Sequence, residues 1–237
     1  MLFLRSLLFA ICQVVSTLVF APLGVLSGVL PFRFRYRFIS QWNYFNVWCL
    51  DKICGLRYTV EGREHIPPGA CIILCKHQSA WETIALPRII PLTLAWVCKR
   101  ELLWIPFFGW GMAMMQPIAI DRKAGRRALD QLVEQGTQRL KQGRSVVIFP
   151  EGTRVAPGEK RRYAIGGAML AEKSGHPVLP ITHNAGEFWP RKSFIKHPGT
   201  IRVVIGPLIE SKGRSAAEIN ALAEGWIESV KLKINRV

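Results

Sequence analysis

A histidine and a carboxylate five residues apart are the first side chains in this sequence whose spacing could support chemistry. They occur as His77 and Glu82 in the segment Lys-His-Gln-Ser-Ala-Trp-Glu. If His77 lies in a turn just before a helix, Glu82 in the first helical turn can reach back to one imidazole nitrogen. The carboxylate would then fix the tautomer and stabilise the imidazolium, and the other nitrogen could remove a proton from a hydroxyl.

Two alternatives remain open for this segment. The spacing from Ser79 to Glu82 is that of a capping box, in which Glu82 bonds only the Ser79 amide. Cys75 lies two residues before His77, on the same face of a strand, so a Cys–His pair could instead form an acyl-enzyme. The apolar neighbours of Cys75 favour a place in the core of the strand.

A second segment, Phe-Pro-Glu-Gly-Thr-Arg at 149–154, also follows an apolar run. Pro150 and Gly152 favour a turn. Arg154 offers a planar guanidinium, whose fork of donors suits a phosphate group. By itself this segment predicts an anion-binding loop.

Short apolar runs and amphipathic stretches alternate around these two segments. We predict strands at 71–75, 94–98, 116–120, 145–149, 178–182 and 201–205, and helices from near Ser79, at 123–142, at 165–174 and from a capping box at Ser215. This alternation predicts an α/β fold with a mixed, largely parallel sheet flanked by helices. Ligands of such folds gather at strand-to-helix turns, where both segments are expected.

The composition narrows the class of partner. The chain has 237 residues, 49% of them hydrophobic, with 32 basic and 16 acidic residues and a net charge of +16. Such a charge attracts polyanions, but the sequence has no nucleic-acid reader motif, so we expect no nucleic acid. The six cysteines lack zinc-ligand spacing, which indicates no metal and a reducing compartment.

The N-terminal part predicts a membrane attachment. Residues 2–30 carry a single charge, Arg5, and are long enough to cross a hydrocarbon core of ~30 Å as a helix. Pro22 lies within this run, so a bent helix immersed in one leaflet is the alternative.

Basic and amphipathic segments follow the apolar run. Arg33, Arg35 and Arg37 alternate with aromatic residues. The arginines could meet lipid phosphates while the aromatic rings lie at the headgroup boundary, and the excess of positive charge places this end of the helix in the cytoplasm. A helix at 42–56 is expected to present Trp42, Phe45, Cys49, Ile53 and Leu56 on an apolar face opposite Asn43, Asn46 and Lys52. We therefore predict membrane-associating helices at 1–57 and an α/β domain at 58–237.

Together the two chemical segments resemble the lysophosphatidic acid acyltransferase family of the glycerolipid acyltransferases. Its pattern is His-x-x-x-x-Asp followed by Phe-Pro-Glu-Gly-Thr-Arg. Residues 99–102 with Pro106 and Gly109, residues 120–122 and residues 178–181 are similar to further family motifs, in order, between about Val60 and Leu208. The departure is Glu82 in place of Asp, which bears on substrate preference more than on chemistry.

The resemblance implies a role for each matching residue. His77 is the general base and Glu82 its partner. The implied binding residues of the glycerophosphate are Glu151, Gly152, Thr153 and Arg154, with Lys99 and Arg122 as further cations; Arg100, Arg126 and Arg127 are interpreted as solvated side chains.

The implied reaction transfers an acyl group from acyl-CoA or acyl carrier protein to the sn-2 hydroxyl of lysophosphatidic acid, giving phosphatidic acid without a cofactor or metal. Backbone amides near Ser79 are expected to stabilise the oxyanion. The expected partners are the bilayer, a lysophospholipid acceptor and the acyl carrier, at the cytoplasmic side of a bacterial inner membrane. Another lysolipid, glycerol 3-phosphate, or an inactive membrane scaffold are the alternatives.

Overall fold

One seven-stranded sheet organises the chain, of which the computed structural model describes residues 1–121 and 124–234. The strands are β1 Leu56–Glu61, β2 Ile72–Cys75, β3 Leu94–Lys99, β4 Ile118–Ile120, β5 Ser145–Ile148, β6 Val178–His183 and β7 Gly199–Ile205. The helices are α1 Leu2–Leu26, α2 Phe32–Cys54, α3 Trp81–Ile89, α4 Phe108–Met114, α5 Arg126–Lys141, α6 Gly166–Ser174, α7 Ala185–Phe188 and α8 Ala216–Lys233.

The strand order is β1-β7-β6-β2-β5-β3-β4. Every neighbouring pair is parallel except β6 and β7, which are antiparallel. The prediction of a mixed, largely parallel sheet is therefore confirmed. The capping box at Ser215, which opens α8, is also present.

Two apolar layers cover the two faces of the sheet. Ile73 of β2 points into a core shared with α2 and α3, whereas Ile72 and Leu74 point into a core shared with α5, α6 and α8. Such strands have no solvent-exposed face, so β2, β5 and β6 are buried at every position. This is why they occur in the sequence as continuous apolar runs rather than as alternating patterns.

Helices α1 and α2 form an antiparallel hairpin in front of the sheet. The Arg5 carbonyl accepts from the Cys54 thiol, and Asn46 Nδ2 lies 3.4 Å from Ser16 Oγ. Residues Leu2–Val29 are long and apolar enough to cross a membrane, with a mean hydropathy of 2.1. Strand β1 begins at Leu56, directly after the hairpin.

The hairpin turns its polar side chains inward. Of the predicted apolar face, Cys49 and Leu56 are buried but Phe45 is exposed; of the predicted polar face, Lys52 is exposed but Asn43 and Asn46 are buried. The two predicted faces therefore separate buried from exposed residues only in part. The helix also begins ten residues earlier than expected, at Phe32. Arg35 is buried, and its guanidinium donates to Gly28 O at 3.3 Å. The alternation of arginines and aromatics suggested three headgroup contacts, but a helical turn of 3.6 residues points Arg35 inward.

Helix α1 also lies against the α/β domain. Ser6 Oγ accepts from the Lys196 amide at 3.0 Å, and Phe9 packs edge-to-face on Trp189. Farther along, Ala21 touches α4 at Gly111. Ser6 and Ala21 are fifteen residues apart, which corresponds to about 22 Å along the helix. Helix α1 is therefore docked along the domain rather than projecting from it.

Candidate active site

Four adjacent parallel strands, β6, β2, β5 and β3, end at the same edge of the sheet. His77 follows β2, the segment 149–154 follows β5, and Lys99 ends β3. Because Leu74 is in register with Ile148, His77 and Glu151 both lie three residues beyond that level. His77 and Phe149 are 72 residues apart in the sequence. The sheet thus brings the two chemical segments together at one edge.

His77 and Glu82 are in direct contact. His77 Nδ1 lies 2.8 Å from Glu82 Oε1, and His77 is two residues beyond β2 in the turn before α3. The reach of Glu82 back to His77 is therefore present, whereas its part in catalysis stays a prediction. With Nδ1–H donating to the carboxylate, Nε2 carries the free lone pair that a base requires.

Glu82 also binds the turn itself. Its Oε1 accepts from the amides of Gln78 and Ser79, each at 2.8 Å, so the carboxylate binds backbone and imidazole together. Burial favours the protonated form of Glu82, but the imidazoles of His183 and His77 and the Ser79 amide outweigh it, and the pKa of Glu82 lies below its ordinary value. A charged acceptor therefore lies beside Nδ1 of the His77 ring.

The two amides bound by Glu82 are no longer free for an oxyanion. The Trp81 amide is also occupied, since it donates to Ser79 Oγ at 3.1 Å. The expectation that amides near Ser79 stabilise the oxyanion is thus not supported by their hydrogen bonds. Helix α3 begins at Trp81, two residues later than the serine on which the expectation was placed.

Two residues of the loop after β5 hold His77, one at its ring and one at its backbone. Phe149 stacks on it with centroids 3.9 Å apart and 13° between the planes. The Val155 amide donates to the His77 carbonyl at 2.8 Å. With its side chain 14% exposed, the imidazole is fixed in place and still open to a substrate.

The loop after β5 turns back at Gly152. Its amide donates to Phe149 O at 2.9 Å, and its φ of +68° lies in the left-handed region that favours glycine. Pro150 occupies the position of this turn where a φ near −65° is required. Thr153 and Arg154, which follow, are both half-buried at the edge of the sheet.

Glu151 lies beneath this loop. Its side chain has no exposed surface, and its Oε1 lies 2.9 Å from Lys76 Nζ. The resemblance implied that Glu151 binds the substrate, but the carboxylate points into the protein and cannot touch a ligand in this arrangement. The sequence contained no signal for this, because Glu151 and its half-buried neighbours Thr153 and Arg154 belong to one polar segment.

The basic residues considered in the sequence differ in exposure and in partners. Lys99 is exposed at the end of β3, and Arg154 is half-buried in the loop. Arg100 is exposed and pairs with Asp121 at 3.5 Å. Arg122 lies outside the described residues. Arg191, which sequence reasoning missed, donates to the Arg154 carbonyl at 3.1 Å and adds a basic side chain near this loop.

A second histidine, His183, was also missed. It ends β6 in register with His77, and its Nε2 lies 2.9 Å from Lys76 O. Its Nδ1 accepts from the Ala185 amide, so the proton is on Nε2. Burial lowers the pKa of His183, and the nearby charge of Glu82 opposes this only in part. Its position after an apolar strand was the signal that could have found it.

Cys75 is unsuited to the covalent alternative. It is fully buried, its thiol donates to Lys76 O at 3.3 Å, and burial raises the pKa of this thiol well above its ordinary value. The thiolate is the nucleophilic form of cysteine. In residues 1–121 and 124–234, no three His, Cys, Asp or Glu side chains are grouped to hold a metal ion.

The family model described as acyltransferase matches residues 57–184, a range that contains both chemical segments. The chain belongs to this acyltransferase family. It is 46% identical to the 1-acyl-sn-glycerol-3-phosphate acyltransferase of Pseudomonas aeruginosa, over 99% of this chain and 93% of the relative. That likeness places it in the family of the 1-acyl-sn-glycerol-3-phosphate acyltransferases.

More distant proteins agree with this assignment. The mouse 1-acyl-sn-glycerol-3-phosphate acyltransferase alpha is 30% identical over 72% of this chain and 61% of its own length. The crystal structure of the 1-acyl-sn-glycerophosphate (LPA) acyltransferase from Thermotoga maritima superposes with a TM-score of 0.83, covering 100% of this chain and 98% of that one. At 24% identity, the latter likeness shows a shared fold.

Proposed function

We propose that this chain transfers an acyl group from a thioester to the sn-2 hydroxyl of lysophosphatidic acid. The observation that carries the proposal is the 2.8 Å contact between His77 Nδ1 and Glu82 Oε1, placed in register with the loop that holds Arg154. The names of the relatives support the same acceptor.

His77 acts as the general base in this proposal. Its Nε2 takes the proton of the sn-2 hydroxyl while the oxygen attacks the thioester carbonyl, and the negative charge of Glu82 stabilises the imidazolium that forms. The tetrahedral intermediate then collapses, the C–S bond breaks, and the thiolate takes the proton from His77. Atoms and charges balance without a cofactor.

The acceptor is oriented by its phosphate. The Arg154 guanidinium lies at the same edge of the sheet as His77, and Lys99 ends the neighbouring β3. Binding the phosphate on the sn-3 carbon would hold the sn-2 hydroxyl on the neighbouring carbon against Nε2. Such orientation removes much of the entropic cost of bringing the two groups together.

The docking of α1 supports immersion in one leaflet rather than a crossing. Two contacts about 22 Å apart hold α1 against the α/β domain, so the helix cannot cross a bilayer without carrying the domain with it. Its opposite face is a stripe of exposed apolar side chains: Leu4, Leu8, Ile11, Val14, Val15, Leu18, Val19, Leu23 and Leu26. A helix with one face docked on the domain and an exposed apolar face suits a place within one leaflet. The cytoplasmic side is our proposal for the domain, from the basic residues that follow α1.

The decisive experiment offers the purified protein both donors and several acceptors. Acyl-CoA and acyl carrier protein are each incubated with lysophosphatidic acid, another lysolipid and glycerol 3-phosphate, and products are identified by lipid mass spectrometry. We expect phosphatidic acid from lysophosphatidic acid and no product from the His77→Ala protein. Faster acylation of glycerol 3-phosphate would reassign the acceptor, and a parent protein without any turnover would indicate a membrane scaffold.

A further inference from the structure

One buried lysine joins the two chemical segments to the end of the chain. Lys76, the residue before His77, is 1% exposed, and its Nζ lies 2.9 Å from Glu151 Oε1 and 2.6 Å from Glu228 Oε1. Tyr163 Oη donates to the same Glu228 oxygen at 2.8 Å. Glu228 belongs to α8 and is 152 residues from Lys76 in sequence.

The charges of this group depend on one another. Burial lowers the pKa of Lys76, but the charge of Glu151 and the hydrogen bonds to Glu228 and Glu151 more than reverse this. Burial raises the pKa of Glu151, and Lys76 opposes the rise only in part. Burial also raises the pKa of Tyr163, which stays a hydrogen-bond donor. Lys76 is thus a fixed cation shared by two carboxylates.

Stability alone does not account for such a group. Helix α8 is already held by Ile219, Ala223 and Ile227, which are fully buried. A buried ion pair adds little net stability, because desolvation of the charges offsets most of their attraction. What the group does provide is a rigid link between the two chemical segments. Lys76 is the residue before the base His77, and Glu151 lies three residues before Arg154.

We propose that Lys76, Glu151, Tyr163 and Glu228 form a positioning network, which sets the distance between the base His77 and the phosphate-binding Arg154. Glu228 on α8 is its outer anchor, and without it Lys76 and Glu151 shift together. The inference rests on the proposed function, since it assigns the network to the alignment of a phosphorylated acceptor. None of the four side chains touches the substrate.

The test compares Glu228→Gln with Glu224→Gln. Glu224 lies one turn earlier on α8 and pairs with Lys160 at 3.5 Å, 24% exposed, so it is a matched control outside the network. Tyr163→Phe removes one hydrogen bond from the network and is a milder variant. Turnover is measured with lysophosphatidic acid and with monoacylglycerol, which lacks the phosphate, beside thermal melting.

We expect Glu228→Gln to lower kcat on lysophosphatidic acid about tenfold with little change in KM, because a displacement of about 1 Å costs about 100-fold and the amide still accepts from Lys76. Tyr163→Phe should lose about threefold, and Glu224→Gln should match the parent. The advantage of lysophosphatidic acid over monoacylglycerol in kcat/KM should shrink in both network variants.

The outcomes separate the two claims. A folded Glu228→Gln protein with unchanged kcat and unchanged preference overturns the network. Equal losses on both acceptors, tracking a loss of melting temperature, also overturn it, since the role is then structural. If the parent acylates neither acceptor, the proposed function fails and the network's assignment falls with it. A parent active on lysophosphatidic acid leaves the variants to decide the network alone.

Discussion

The N-terminal hairpin and the central strands of the α/β domain differ in the side chains that they bury and expose. In the domain, β2, β5 and β6 are buried at every position and are mostly apolar. In the hairpin, the buried residues include Ser6, Ser16, Asn43 and Asn46, while large apolar residues of α1 face outward. The first arrangement is what water selects, because it removes apolar surface from solvent. The second is what a lipid environment selects, where small and polar residues join helices.

This difference teaches that each helix must be interpreted together with its surroundings. An apolar stripe on α2 indicates a protein core only if water covers the other side. On α2 the buried side carries Asn43 and Asn46 beside Val47 and Leu50, and Asn46 meets Ser16 of α1 at 3.4 Å. Five predictions can break or sharpen the comparison.

The largest effect is expected from one substitution made in both regions. Ile73→Asn places an amide at a fully buried position of β2 and should cost about 4 kcal/mol of the free energy of unfolding, from lost apolar burial and an unpaired polar group. Ile11→Asn, at a position that is 51% exposed on α1, should barely change melting but weaken binding to vesicles about tenfold. Thermal melting and vesicle flotation measure the two. Equal melting losses would show that the hairpin is an ordinary core.

His77→Ala should remove chemistry and leave both regions intact. We expect kcat to fall about 1000-fold, the usual size of a general-base contribution, with unchanged melting and unchanged vesicle binding. Turnover, melting and flotation on the same preparation provide the check. Near-normal turnover would remove His77 as the base.

Glu82→Gln separates the electrostatic part of the site from its local folding. A glutamine oxygen can still accept from the Gln78 and Ser79 amides, so the protein should melt within a few degrees of the parent. Without a charge beside His77 Nδ1, kcat should fall about 100-fold. Glu82→Asp keeps the charge and should stay active. Full activity of the glutamine variant would leave Glu82 with only a capping role.

Arg154→Ala should weaken only the recognition of the acceptor phosphate. A charge-assisted hydrogen bond contributes about 2 kcal/mol, so kcat/KM for the phosphorylated acceptor should fall about 30-fold. The KM of the acyl donor and the rate with monoacylglycerol should hardly change. Equal losses with both acceptors would mean that Arg154 supports the fold of the loop.

The smallest effect is expected inside the hairpin. Asn46→Val removes the contacts of Asn46 with Trp42 O and Ser16 Oγ, at 2.8 and 3.4 Å. Interhelical hydrogen bonds in lipid contribute about 0.6 kcal/mol each, so stability in vesicles should change by about that amount. A loss above about 3 kcal/mol would mean that the polar seam, rather than packing, holds the helices together.

The fold and the central pair of the site were predictable because both depend on short-range patterns. Continuous apolar runs indicate strands covered on both faces, and a histidine just before a helix limits where its carboxylate can reach. The capping box of α8 is a local signal of the same kind. By contrast, strand β1 was not predicted: its side chains alternate between buried or half-buried and exposed, and its partner β7 lies far along the chain.

The supporting residues of the site could not be predicted, because their contacts are long-range. Nothing near Lys76 in the sequence indicates Glu228, and nothing near Glu151 indicates that its side chain turns inward. The burial of Asn43 and Asn46 on α2 was missed for another reason: helical periodicity identifies two faces but not the surroundings that each one meets. The exposure of Phe45 and Trp48 supplies that information.

The hydrogen bond from the Val155 amide to the His77 carbonyl also limits how the chain can vary in length. The segment from Phe149 to Val155 is closed at both ends, by the Gly152 turn and by this bond. One inserted residue within it would move the Val155 amide by up to about 3.5 Å and open the bond at the base. Residues 158–162 just beyond are exposed, and their bonds run from Glu159 to Ala156 and from Lys160 to Glu224 rather than to His77. Insertions there should therefore be accepted where insertions four residues earlier are not.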